Sequence, residues 1–279
     1  MLLREAEEYG HQHVFLYNCP QATARQIVSE QQVQQALAAL GRLDLLQKPP
    51  ILDKPEHLTL TDVRIESSGA GQILVVKAVQ GRSYQKYLRE ESDDRFVRRI
   101  YERVEQRAVN VMRVHQDGFA EVRIQSHNGS ADYAQEVDSF WSLVNTIIPQ
   151  VRFGVLSITK AKEYLWKNRR KLHSSVRYSD SSLRNASGTI LSAATGHEQQ
   201  SLYDDVGASA GLDAFRQVGD AVCYRSDIFW LKRDGQFNQV PSRNIHTILE
   251  GAVNEFNVTV QCDRSDYEHV LDQIKKANA

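Results

Sequence analysis

Stretches in which apolar side chains recur every second residue alternate along this chain with stretches in which they recur every third or fourth. The first period is that of a strand covered on one face, the second that of an amphipathic helix. "HVFLYNC" at 13–19 reads as a strand closed by Pro20. A helical stretch follows, with Ser29 and Gln32 at capping-box spacing, Val33, Leu37 and Leu40 on one face, and Gly41 as a stop. "QKPPILDKPEH" holds three of the six prolines and reads as a loop. "LTLTDVRIE" and "QILVVKAV" are strands joined by "SSGAG". Ser92, Asp93 and Asp94 read as the start of a helix with Phe96, Val97, Ile100, Tyr101 and Val104 as its apolar stripe. "AVNVMRV" and "FAEVRIQS" form a hairpin around the Asp-Gly of "HQDG", with Glu121 expected on its solvent face between buried Val122 and Ile124. Residues 133–148 are amphipathic, with Val137, Phe140, Trp141, Val144 and Ile148 on one side.

The second half opens with a helix over about 159–172, in which Ala161, Tyr164, Leu165 and Leu172 are expected to face the core. "SVRYS" and "GTILSA" are weak strands in a Ser-rich span. The segment 200–219 reads as helix interrupted at Gly207 and Gly211. "DAVCYRSDIFWLKR" is a strand turning at "RDGQ", "NIHTILEGAVNEFNVTVQC" a hairpin, and "SDYEHVLDQIKKA" a terminal helix. Residues 119–144 and 255–277 echo each other. Val122, Ile124 and Gln125 match Val258, Val260 and Gln261, and Asp132-Tyr133 matches Asp266-Tyr267. The expected class is therefore α+β, mostly antiparallel sheet with covering helices. It has two β-hairpin-helix halves, over 1–150 and 151–279, that form a candidate internal repeat.

Length and composition are those of a soluble globular protein: 279 residues, 41% hydrophobic and 25% charged. No apolar run approaches the roughly 20 residues of a spanning helix, and the charged start "MLLREAEEYG" lacks a signal-peptide core. Three cysteines, Cys19, Cys223 and Cys262, are odd in number and far apart, which fits a reducing cytoplasm better than a disulfide framework. The formal net charge of -1 makes any electrostatic argument a local one.

Candidate catalytic chemistry is sparse. His11, His13 and Cys19 share strand parity, but His13 and Cys19 lie roughly 20 Å apart in an extended chain and cannot hold one zinc ion. A restriction-type nuclease site needs acid-x-Lys, and "EVR" at Glu121 places Arg where Lys is required; Asp62 and Glu66 precede Lys77 at the wrong spacing. Residues 21–40 followed by the 58–79 hairpin suggest a winged helix presenting Gln31, Gln34 and Gln35. There is no P-loop, dinucleotide fingerprint, GxSxG or HExxH, and no cofactor is implied.

The cations carry the strongest signal. Between Arg152 and Arg184 stand nine Lys or Arg against two acids, Glu163 and Asp180. Lys160, Lys162, Lys167, Arg169, Arg170, Lys171, Arg177 and Arg184 belong to this span, and Trp166 is placed to stack on a base or on Arg170. A second segment interleaves Lys77, Arg82, Lys86 and Arg89 with Tyr84 and Tyr87. Arg95, Arg99, Arg103 and Arg107 recur every four residues beside enough acids to compensate them. Cations interleaved with aromatics suit a sugar-phosphate backbone. The expectation is a non-catalytic protein or subunit that binds DNA or RNA with weak sequence preference through 152–184 and 77–89. The alternatives are an adaptor whose cationic helix meets an acidic protein, and a metal-dependent nuclease assembled from distant residues.

Overall fold

A computed structural model describes residues 7–69, 71–93, 95–129, 131–196, 199–232 and 240–279. The elements run β1 (Gly10–Asn18), α1 (Gln21–Ile27), α2 (Glu30–Ala39), α3 (Asp44–Gln47), β2 (Thr59–Ser68), β3 (Gly71–Ser92), β4 (Val97–His115), β5 (Phe119–Gln125) and α4 (Tyr133–Val144). They continue through the two-residue β6 (Gly154–Val155), α5 (Thr159–Asn168), β7 (Val176–Arg184), β8 (Ile190–Ala194), α6 (Val206–Gly219), β9 (Val222–Trp230), β10 (Ile245–Leu249), β11 (Glu255–Gln261) and α7 (Arg264–Asn278). The class is α+β, with antiparallel strand pairing and helices packed on the strands. The "RDGQ" turn lies outside the described residues.

Two compact units divide the chain. One is Asn18–Gly154. The other joins Tyr17 and the described residues before it to Val155–Ala279. β1 goes with the C-terminal part because it pairs with β11, His13 opposite Asn257 and Val14 opposite Phe256.

In the 18–154 unit the strands follow the order β2-β3-β4-β5, with α1 against β4, α3 against β2 and α4 against β5. Ile73 to Val79 are all buried, so both faces of β3 are covered. That is why "ILVVKAV" is continuous rather than alternating. Leu74, Val76, Met112, Val114, Val122 and Ile124 make one face. Val75, Val79, Val109 and Val111 share the other with Asp62, Arg64, Lys77, Arg113, Glu121 and Arg123. Glu121 is therefore not on a solvent face: it is fully buried beside Arg123 (2.6 Å) and Arg113 (3.6 Å). Burial alone would raise the Glu121 carboxyl, but Arg123, His115 and Arg113 hold it well below the usual range.

The helix expected after Ser92 is instead strand. β3 and β4 pair from Ile73 and His115 out to Ser92 and Val97, far beyond the ends of β2 and β5. The supposed stripe falls into cross-strand pairs: Val104 faces Tyr84 and Tyr101 faces Tyr87, the two tyrosine rings meeting edge-on at 5.7 Å. Apolar residues at 97, 100, 101 and 104 have helical spacing, but in β4 they divide between the two faces of the ribbon, and it is the matching register of β3 that makes the segment strand.

In the other unit the strand order is β1-β11-β10-β9-β7-β8. α5 packs on α7 and β9, and α6 on β7 and β8. Val176, Tyr178, Ile228, Trp230, Ile245, Leu249, Phe256 and Val258 form the core face of this sheet. α6 runs through Gly207 and Gly211 without a break, carried by the Asp205 cap and the buried Ser209 and Leu212. Each hairpin ending at Gln125 or Gln261 leads into a helix, as the echo requires. The echoed aspartates differ in role, however. Asp132 caps α4, whereas α7 is capped by Asp263, and the buried Asp266 binds the amide and hydroxyl of Ser242. The resemblance thus stays at the level of element order.

Candidate nucleic-acid interface

α5 sorts its residues by face. Ala161, Lys162, Leu165 and Trp166 are buried, while Lys160, Tyr164 and Lys167 are exposed. Tyr164 does not join the core as its spacing suggests; it is 48% exposed. The helix ends at Asn168, and hydrogen-bonded turns carry the chain to Val176, with Arg170 and Lys171 exposed on them. Lys160, Tyr164 and Lys167 thus make one stripe on α5 at steps of four and three residues, and Arg170 and Lys171 follow it on the turns. None of the four cations Lys160, Lys167, Arg170 and Lys171 forms a salt bridge within 4.0 Å among the described residues, although the charge of Lys167 helps to hold the Glu163 carboxyl four residues earlier below its ordinary value.

Other candidates in this span are engaged inside the fold. Lys162 Nζ donates to the carbonyls of Glu250 (2.6 Å), Ala252 (3.0 Å) and Tyr224 (3.2 Å), and burial lowers its pKa. Trp166 is 2% exposed and packs edge-on against Tyr203. Its cation partner is Arg169, not Arg170: the Arg169 guanidinium lies 4.4 Å from the Trp166 ring and 4.7 Å from Tyr203, and donates to Asp213. Burial alone would raise the Glu163 carboxyl, but Arg216 and the Cys223 amide hold it below its ordinary value. Arg177 stacks over Phe229 at 4.3 Å and Arg184 over Tyr224 at 4.6 Å.

The second basic segment lies on β3, in the other compact unit. Lys77 is buried opposite Asp62. Arg82 is bound to the Gln125 carbonyl and to Glu136. Tyr84 is half-buried, and Lys86 is exposed opposite Glu102. Arg89 pairs with Glu91, and Arg99 with Glu90.

Two features escaped the sequence reading. The first is a cavity of about 310 Å³ at the seam of α5 and α7. Leu165, Leu172, Val176 and Trp230 supply apolar wall, and Tyr164, His269, Gln273 and Lys276 stand around it. His269, Gln273 and Lys276 lie about a hundred residues from α5, and no local pattern links them to it. The second is a row of titratable groups on the sheet face opposite the core of the same unit. Asp180 and Asp227 pair across β7 and β9, Arg225 binds Asp227 at 3.0 Å, and His246 stacks on Phe229 at 4.4 Å. Burial and then the Asp227 charge raise the Asp180 pKa, and burial lowers that of His246. Among the described residues no group of three or more His, Cys, Asp or Glu side chains is placed to hold a metal ion. Burial pushes the Cys223 thiol up to about 11, the reverse of what a reactive cysteine needs. At the other end of the chain, His13 Nδ1 lies 2.6 Å from Glu255 Oε1.

No family model matches the chain, and no curated protein is significantly similar to it in sequence.

Proposed function

We propose that this chain binds the phosphate backbone of a nucleic acid through Lys160, Lys167, Arg170 and Lys171, with little dependence on sequence. The observation that supports this reading is the exposed set of cations around Tyr164, with no salt bridges among the described residues. Lys167, Arg170 and Lys171 stand within five residues of one another at the end of α5, and like charges this close oppose each other by about a few tenths of a kcal/mol per pair, which a polyanion relieves. The dipole of α5 favours one or two cations near its C-terminus and does not require the rest. Contacts to phosphate orient a strand without reading its bases.

The test titrates the protein and a Lys160/Lys167/Arg170/Lys171→Ala variant with single- and double-stranded DNA and RNA at several salt concentrations. Each cation that neutralises a phosphate releases a counterion, so the variant should bind more weakly with a log-log salt slope flatter by roughly 3. An unchanged melting temperature would show that the variant is folded. Wild type that binds no nucleic acid at low salt, or a variant that binds as tightly, overturns the reading. Capture of an acidic protein by the same residues, with no nucleic-acid binding, would make the chain an adaptor instead.

A further inference from the structure

The cavity beside this stripe points to the form of the bound strand. We propose that it receives one unpaired nucleobase, so that the chain holds single-stranded nucleic acid by a base in the cavity and by phosphates on the flanking cations. This rests on the phosphate-binding reading above and adds a ligand site to it.

Three observations carry the inference. The first is size. About 310 Å³ lies at the lower end of the roughly 300–1,000 Å³ typical of small-molecule sites, which suits one ring system rather than a stack of bases. The second is chemistry. The apolar surfaces of Leu172, Val176 and Trp230 suit the flat faces of a heteroaromatic ring. Gln273, on the α7 side of the lining, carries an amide suited to its polar edge. The third is the setting. Tyr164 stands at the cavity between Lys160 and Lys167, which are about 10 Å apart along the helix at 1.5 Å per residue. Lys276 also stands at the cavity, on α7. A base entering here carries its own phosphates towards cations on either side. Tyr164, half exposed, supplies a stacking surface that accepts any base, in keeping with weak sequence preference. Bases in a duplex are paired and stacked and cannot enter without being extruded.

The experiment compares a single-stranded oligonucleotide, its fully abasic sugar-phosphate counterpart of equal length and charge, and the duplex of the same length. Wild type should bind the single strand about 5- to 150-fold more tightly than the abasic polymer, the range of one base-aromatic contact. Two variants follow. Tyr164→Ala removes the stacking ring, and Gln273→Trp fills the cavity from α7 while deleting no buried group. Both should bring single-strand affinity down to that of the abasic polymer and leave the salt slope unchanged, because the phosphate contacts remain. Equal wild-type affinity for single strand and abasic polymer overturns the base site while leaving the phosphate reading intact, as does full discrimination in both variants. Wild type that binds none of the three sinks the phosphate reading and this site with it.

Discussion

Lys162 shows how burial changes the meaning of a cation. In sequence it is one of nine positive residues in a basic span, equivalent to Lys160 or Lys167. In the fold its ammonium closes three backbone carbonyls, two of them in the turn between β10 and β11. That group is satisfied by the protein itself and has no hydrogen to spare for a phosphate. Lys162→Met should therefore destabilise the protein by roughly 2–3 kcal/mol, the worth of hydrogen bonds to a charged group whose acceptors are left buried. Oligonucleotide affinity should stay unchanged below the melting transition. Thermal denaturation and a binding titration on the same sample check both halves; a loss of affinity without a loss of stability would return Lys162 to the interface. Glu121 and Arg123 make the converse point. Acidic and basic residues flanking Val122 look solvent-facing, yet both are fully buried and neutralise one another. Strand periodicity states only that they share a face, and the fold decides whether that face meets water.

At the scale of elements, hairpins with strong turn signals, such as Asp117-Gly118 between β4 and β5, were legible. So were helices with clear stripes, such as α4 and α7. Residues 97–107 were not, because the apolar pattern at 97, 100, 101 and 104 has helical spacing, and in the strand it divides by parity, 97 and 101 to one face and 100 and 104 to the other. The β3–β4 ribbon is set by pairing between strands, so damage to one strand should be read in the other. Val104→Pro removes a ladder donor and fixes φ. It should raise amide exchange around Tyr84 and Lys86 on β3 as well as on β4, while α4 remains protected. Exchange confined to residues near 104 would show that the segment does not pair as a ribbon.

At the scale of the whole molecule, chain order and spatial order part company. β1 is first in sequence but pairs with β11, near the end, and Asn254 Nδ2 donates to the Leu16 carbonyl. A fragment beginning at residue 155 therefore lacks the strand that covers one edge of β11, and an uncovered edge beside Phe256 and Val258 favours association. The isolated 155–279 fragment should aggregate or fold poorly, and adding a peptide of residues 7–18 should restore soluble, native-like spectra. A fragment that folds well without the peptide would show that β1 is dispensable to that unit.

The sequence by itself determined the α+β class, the antiparallel hairpins and the positions of the main helices, because these depend on periods and turn residues within about twenty positions of one another. It also located the basic span of α5. Only the tertiary structure decided which of those cations remain open to a ligand. Arg169 is taken by Asp213 and Trp166, Lys162 by carbonyls some 60 to 90 residues away, and Arg82 by Glu136. The cavity beside Tyr164 was equally invisible, since its far wall is α7. A local pattern fixes which side of an element faces inward, whereas a charge is spent or left free according to partners that only the folded chain brings within hydrogen-bonding distance.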